Sequence, residues 1–142
     1  MYKHSALTEK IIKAFYAVYS GLGYGFLEKV YENSMAMELR DMGLEVIQQM
    51  PITVCYRGQV VGEYFADLLV EDKVIVELKA ARALANNHEA QLLNYLKATV
   101  YEVGLLLNFG PKPEIRRRAY DNSRKEWFRN QQERAQTSTK QR

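Results

Sequence analysis

Two apolar stretches joined by a short polar turn constrain the fold more than any other feature of the chain. They lie in DLLVEDKVIVELK (67–79), where EDK (71–73) separates them. Aliphatic and β-branched residues on both sides of such a segment are typical of a β-hairpin. A three-residue turn places Asp67 directly across from Glu77, with Cβ atoms about 5 Å apart. A two-residue turn would shift the register by one and move Asp67 to the other face.

Glu77 and Lys79 end a strand that is otherwise apolar. Alternation along the strand puts both side chains on one face, and the three-residue turn would add Asp67. Charges at the end of a buried strand are costly unless something pairs with them. Two carboxylates suit Mg²⁺, which takes one or two of them and leaves positions for water and a substrate phosphate. Lys79 would then hold or activate the attacking water.

The same three residues also fit a purely structural interpretation. Lys79 can neutralise Asp67 and Glu77 as a cross-strand charge cluster at the surface, which is worth about 0.2–1 kcal/mol. Spacing alone favours neither interpretation.

The size and composition of the chain fit one ordinary soluble domain. It has 142 residues, of which 47% are hydrophobic and 26% charged. No apolar run approaches the ~20 residues of a membrane helix, and the first residues contain no hydrophobic signal core, so we expect a cytoplasmic protein without membrane contact. Cys55 is the only cysteine, which excludes an internal disulfide and a cysteine-based zinc cluster. We expect Cys55 to fill the core from a strand.

Hydrophobic periodicity predicts a mixed α/β sheet flanked by helices, in the order α, α, β, β, β, α, β, β. Pro51 is expected to interrupt the first strand, and Asn86 or Asn87 to cap the third helix. Gly43 is expected to end the second helix in a left-handed conformation. The predicted helices span about 5–21, 26–41 and 86–99, and the predicted strands about 45–56, 60–70 and 73–79, followed by EVGLLLNFG as a buried strand and EIRRRAY as an exposed edge strand.

Polar residues recur at helical spacing on the second and third predicted helices. Gly25, Glu28 and Tyr31 are three residues apart. As an acid in the first turn, Glu28 also stabilises the helix through its interaction with the helix dipole, by about 0.3–1 kcal/mol. Gln91 and Tyr95 form a polar stripe with His88, opposite the leucines of the third helix. Such stripes are ordinary, and His88 is expected to be solvated or to cap the helix.

The C-terminal part of the chain is strongly basic. From Pro111 onward there are ten Lys or Arg residues against four acidic residues. A basic end on an acidic body suits a polyanionic partner, and Arg116, Arg117 and Arg118 are the candidates for contact with a nucleic-acid backbone. We expect one domain over 1–119 and a basic polar tail over 120–142, the last dozen residues of which have little to bury.

Several motifs together resemble a known superfamily. Asp67, nine residues, then Glu77-Leu78-Lys79, followed by Gln91 and Tyr95, is similar to the PD-(D/E)XK nucleases in their RecB-like form. The segment GFLEKVY (25–31) resembles the signature of the GxxExxY protein family within that superfamily. The segments GEYFADLLVEDKVIVELKA, AQLLNYLKAT and VGLLLNFG resemble the same family, so the similarity covers about residues 5–119. Ala66 stands where the superfamily pattern has proline, a position that shapes backbone and carries no chemistry.

The resemblance implies a restriction-endonuclease-like αβββαβ core and a Mg²⁺-dependent nuclease, with Mn²⁺ as an alternative ion and DNA as the expected substrate. It implies that Asp67 and Glu77 bind the metal, joined by the Leu78 carbonyl and by Glu28 from the helix. Lys79 would serve the attacking water. Gln91 would belong to the catalytic set, and Tyr95 would support the site or contact nucleic acid.

Two other functions remain compatible with the sequence. The chain could be a non-catalytic nucleic-acid-binding or assembly module that keeps the fold and uses its acidic cluster structurally. It could also be an oligomeric scaffold, for which the candidate contact residues are Tyr16, Tyr19, Tyr24 and Tyr101. A homodimer that grips both strands fits the nuclease interpretation, and both exonuclease and endonuclease action are consistent with the motifs.

Overall fold

The computed structural model describes residues 2–128 and 130. The predicted order of elements is confirmed, with a short 3₁₀ helix at Asn122–Arg124 added after the last strand. The helices are α1 (Ser5–Leu22), α2 (Glu28–Asp41) and α3 (Asn86–Ala98), and the strands are β1 (Val46–Tyr56), β2 (Gln59–Val70), β3 (Val74–Lys79), β4 (Val103–Phe109) and β5 (Pro113–Ala119).

The five strands form one mixed sheet in the order β1-β2-β3-β4-β5. The first three strands are an antiparallel meander, α3 connects β3 to its parallel neighbour β4, and β5 returns antiparallel at the edge. Helices α1 and α2 cover the face that carries Val76 and Leu105, whereas α3 covers the face that carries Ile75 and Leu106. The predicted restriction-endonuclease-like architecture is therefore confirmed.

The expectation that Pro51 interrupts the first strand was wrong. β1 runs through Pro51, which pairs with Phe65. Because β1 is an edge strand, it tolerates a residue without an N–H group. The expectation that Cys55 fills the core was also wrong, since Cys55 is exposed near the end of the β1–β2 hairpin. Tyr56, the next residue of β1, is exposed as well.

The helix ends agree with the sequence in one case and differ in another. Gly43, with φ of +83°, follows α2 in the left-handed region as predicted. Neither predicted asparagine caps α3: Ala85 is the N-cap residue, and its N–H donates to His88 Nδ1 over 3.1 Å. His88 thus serves the helix start, the structural role expected for it.

The chain stays in contact with the sheet and α3 beyond residue 119. Lys125 Nζ donates to the carbonyls of Thr99 and Tyr101 over 2.8 Å each, and Trp127 Nε1 donates to the Lys97 carbonyl over 2.6 Å. The first part of the predicted tail is thus packed, and its last dozen residues lie outside the described part of the chain. No helix among the described residues is long and apolar enough to cross a membrane.

Candidate metal and catalytic site

The sheet divides where the candidate acidic residues lie. β2 pairs with β3 from Val70↔Val74 only as far as Leu68↔Val76. This confirms the three-residue turn and makes Asp67 and Glu77 the next positions along the two strands. Beyond that point the ladder of β2 continues with β1 to the end of the hairpin. The β1–β2 ribbon therefore diverges from β3 at the two carboxylates.

Asp67 and Glu77 fill the gap between the diverging strands with reciprocal hydrogen bonds. The Asp67 N–H donates to Glu77 Oε1 over 2.9 Å, and the Leu78 N–H donates to Asp67 Oδ2 over 2.8 Å. Each carboxylate thus binds the backbone of the opposite strand and takes the place of a ladder bond. The two side chains are held close together by the main chain of both strands.

This arrangement makes the negative charge of both residues costly. Glu77 is only 4% exposed, and burial raises its pKa to about 8, with a further contribution from the Asp67 charge. Burial also raises the pKa of Asp67. Neighbouring buried acids whose charged forms are disfavoured need a proton or a cation as a partner.

Lys79 and Glu28, on different elements, lie close enough to Asp67 and Glu77 for their charges to act on the pair. The positive charge of Lys79, at the end of β3, lowers the pKa of both Asp67 and Glu77, whereas the charge of Glu28 raises them. Glu28 is exposed at the start of α2, which covers the opposite face of the sheet from Glu77. Its charge nevertheless acts on both carboxylates across the end of the β2–β3 pairing.

Gln91 and Tyr95 approach the site from α3. Gln91 Nε2 donates to the Tyr95 hydroxyl over 3.0 Å. Burial raises the pKa of Tyr95 to about 12, and the charge of Glu77 adds to the effect. Tyr95 therefore lies within range of the charges of the carboxylate pair, on the face of the sheet opposite α2.

Tyr31 of the GFLEKVY segment has a structural role in the loop before α2. Its side chain is fully buried, and its hydroxyl donates to the Gly23 carbonyl over 2.8 Å and accepts from the Phe26 N–H over 3.2 Å. Gly25, between these two partners, has φ of +112°, which favours glycine. The tyrosine therefore holds the loop that sets the start of α2 and the position of Glu28.

Sequence reasoning missed two residues of this network, Glu32 and Gln49. Glu32 is 3% exposed and accepts from Lys29 Nζ over 2.9 Å and from Gln49 Nε2 over 2.5 Å. The Gln49 amide also lies 3.4 Å from Asp67 Oδ1. Glu32 follows Glu28 by four residues, a spacing that places both on one helix stripe and could have identified it.

Gln49 has an unusual backbone conformation for its position. Its φ is +56°, in the left-handed region that non-glycine residues seldom adopt within a strand. It lies opposite Asp67, between the pairs Gln48↔Leu68 and Met50↔Ala66. Strain of this kind persists where the surrounding contacts over-determine it. The two hydrogen bonds of its amide, to Glu32 and Asp67, are such contacts.

The three arginines of β5 do not share one surface. Arg116 and Arg118 lie on the α3 side, where both contact Glu89; the Arg116 Nε to Glu89 Oε1 distance is 3.0 Å. Arg117 points to the other side and donates to the Lys3 carbonyl over 2.8 Å. The strand alternation thus separates the middle arginine from its neighbours.

The donor set at the gap fits a hard divalent cation. Within residues 2–128 and 130, no cluster of three or more His, Cys, Asp or Glu side chains forms a cage for a metal. Mg²⁺ does not need one, since it commonly keeps several waters and uses one or two carboxylates. Glu77 Oε1 and Asp67 Oδ2 accept from the backbone, so a cation would be held by Glu77 Oε2 and by Asp67 Oδ1, which lies 3.4 Å from the Gln49 amide.

Comparisons with known proteins agree with this geometry. The crystal structure of SSO0001 is similar in fold, with a TM-score of 0.53 and 19% identity over 83% of this chain and 59% of that one. This chain thus spans about 59% of the length of SSO0001. A comparison with curated proteins finds no match. The family model described as the PD-(D/E)XK nuclease superfamily matches residues 5–118, which is most of the chain. The chain therefore belongs to the PD-(D/E)XK nuclease superfamily.

Proposed function

We propose that this chain is a Mg²⁺-dependent nuclease of the GxxExxY type that hydrolyses phosphodiester bonds in DNA. The observation that carries the proposal is the carboxylate pair Asp67 and Glu77, buried side by side where β2 leaves β3. A charge pair of this kind weakens a fold unless a cation offsets it. Superfamily membership indicates a nuclease. Mg²⁺ as the ion and DNA as the substrate are the proposed additions.

Asp67 and Glu77 would hold the ion, with the Leu78 carbonyl and Glu28 as further ligands. A bound Mg²⁺ or Mn²⁺ would polarise the phosphate and lower the pKa of a coordinated water. Glu28 is exposed and therefore free to move towards a ligand.

Lys79 and the α3 residues would serve the substrate. The Lys79 ammonium, beside both carboxylates, would orient the attacking water and offset charge that builds on the phosphate oxygens. Gln91 would position substrate or water through its amide, and its hydrogen bond to Tyr95 holds that amide in place. Arg116 and Arg118, on the α3 side of the sheet, would contact the nucleic-acid backbone.

Cleavage of labelled DNA by the purified chain tests this proposal. We expect hydrolysis with Mg²⁺ that EDTA abolishes, and a loss of about 10²–10⁴-fold in Asp67→Ala and Lys79→Ala. Asp41→Ala and Lys73→Ala, at exposed positions outside the gap, are matched controls that should cleave like the wild type. Equal activity in all five proteins would reject the assignment.

The non-catalytic nucleic-acid-binding module is the alternative that this experiment separates. It predicts binding of DNA without metal-dependent cleavage, and carboxylates that serve only stability. The oligomeric scaffold has less support, because the hydroxyls of Tyr19 and Tyr101 are bonded within the fold. Tyr16 and Tyr24 are exposed. A homodimer remains a prediction of the nuclease proposal.

A further inference from the structure

A cleft of about 910 Å³ lies between the β1–β2 ribbon and α3, and Gln91 and Tyr95 of the candidate site are among its lining residues. The ribbon side of the cleft belongs to the part of β1 and β2 that continues past the last β2–β3 pair. Thr53 and Tyr64 line the ribbon side, and Asn87, Gln91 and Asn94 line the helix side. Trp127, bonded to the Lys97 carbonyl, closes part of the cleft.

We infer that this cleft binds the unpaired bases of single-stranded DNA and so makes single strands the preferred substrate. The inference rests on the proposed nuclease function, and it specifies the form of nucleic acid that reaches the carboxylates. The volume of the cleft falls in the range of sites that hold compact ligands, about 300–1,000 Å³. A single strand can offer its bases to such a cleft, whereas the bases of a duplex are already paired and stacked.

Tyr64 supplies a stacking surface at the mouth of the cleft. Its side chain is 49% exposed, and its ring lies 5.9 Å from the ring of Tyr95, measured between centroids. Tyr95 is buried, and the charge of Glu77 contributes to its raised pKa. A base stacked on the open side of Tyr64 would thus be separated from Tyr95 by one ring. Stacking of a base on an aromatic side chain is worth about 1–3 kcal/mol.

The helix side of the cleft offers groups that suit base edges. Asn87, Gln91 and Asn94 follow one another at i, i+4 and i+7, so their amides lie along one face of α3. Each amide has both donor and acceptor atoms, as the edges of bases do. Among the described residues no acidic side chain lines the cleft, and Lys97 contributes a positive charge, which favours a polyanion.

Fluorescence anisotropy with a labelled eight-nucleotide oligothymidylate tests the inference. In EDTA, where metal-dependent cleavage cannot proceed, the wild type should bind the single strand more tightly than a duplex of the same length. Tyr64→Ala should weaken single-strand binding by about 5–100-fold, whereas Tyr64→Phe should keep it. Asn94→Asp, which places a negative charge in the cleft, should also weaken binding.

Tyr56→Ala is the matched control, because Tyr56 is also an exposed tyrosine of the same ribbon but does not line the cleft. It should bind like the wild type. Unchanged binding in both Tyr64→Ala and Asn94→Asp, or tighter binding of the duplex, would overturn the inference. Cleavage of duplex DNA by a protein that fails these tests would leave the nuclease proposal intact. If the variants bind as expected but the wild type shows no metal-dependent cleavage, the nuclease proposal is rejected and the cleft remains a single-strand binding site.

Discussion

The Asp67 N–H donates to Glu77 Oε1 over 2.9 Å, so one acid of the pair is anchored by the backbone of the other. Each residue is thus part of the scaffold and also half of a like-charge pair. The hydrogen bonds favour the fold, and the two charges oppose it. This opposition can be measured, because the two effects respond differently to substitution.

Glu77→Gln should raise the free energy of unfolding by about 1–3 kcal/mol at pH 8 in EDTA. Glutamine keeps an Oε1 acceptor for the Asp67 N–H and removes one of two neighbouring buried charges. Urea denaturation measures the change, with Glu63→Gln, exposed on β2, as the control. A loss of stability in Glu77→Gln would mean that the charge supports the fold, as the non-catalytic alternative predicts.

Gln49→Gly should lower kcat for DNA cleavage by about tenfold while leaving KM and stability near their wild-type values. Glycine adopts φ of +56° without strain, but it lacks the amide that links Glu32 to Asp67. A small displacement of a positioned catalytic group can cost up to about 10²-fold in rate.

Gln48→Ala is the matched control for Gln49→Gly. Gln48 also donates to Glu32, over 2.7 Å, but has no contact with Asp67 among the described residues. Single-turnover kinetics with saturating Mg²⁺ should therefore show a loss only in Gln49→Gly. Equal rates in the two variants would show that Gln49 has no positioning role.

Lys125 should make the stability of the chain rise with pH in an alkaline window. Burial lowers the pKa of Lys125 to about 8 from an ordinary value of 10.5. Between these two values the unfolded chain binds more protons than the folded chain, so the free energy of unfolding increases as pH rises from about 8 to 10.5. Lys125→Met removes this contribution.

Urea denaturation at several pH values from 7.5 to about 10.5 checks this expectation. The difference in stability between wild type and Lys125→Met should grow in favour of the wild type across the window. Lys112→Met, at an exposed position, should give a curve parallel to the wild type. A Lys125→Met curve parallel to the wild type would contradict the predicted titration.

Substitution of Arg116 and Arg118 together should flatten the salt dependence of DNA binding. Both lie on the α3 side and share Glu89, and Arg116 also lies 3.8 Å from Glu114, so we expect the two arginines together to make about one phosphate contact. The slope of log K against log salt should fall in magnitude by about 1. Arg117→Gln, on the other side of the sheet, should leave the slope unchanged. Equal slopes for all three proteins would remove the arginines from the interface.

The sequence left two hairpin registers open, because turn length decides which strand positions face each other. The pair Val70↔Val74 selects the three-residue turn at EDK (71–73). Helical spacing placed Gln91 and Tyr95 on one stripe of α3, and the resemblance to the nuclease superfamily assigned that stripe to the site. The motifs of 67–79 and 86–99 therefore identified most of the residues that meet at the gap.

The divergence of β2 from β3 was not predictable from local sequence. It occurs opposite Gln49, whose amide bonds to Glu32 from a helix and Asp67 from another strand. Such contacts join distant parts of the chain and leave no periodic pattern. The same holds for Cys55, which is exposed at the open cleft between the ribbon and α3.

Anomalous diffraction from crystals soaked in Mn²⁺ tests the central proposal most directly. We predict one strong peak in the gap between β2 and β3, within about 2.0–2.3 Å of oxygens from both Asp67 and Glu77. Asp67→Ala crystals treated in the same way should lose that peak. A wild-type map with no peak at these carboxylates, or with manganese bound only elsewhere, would contradict the proposed metal site and the nuclease built on it.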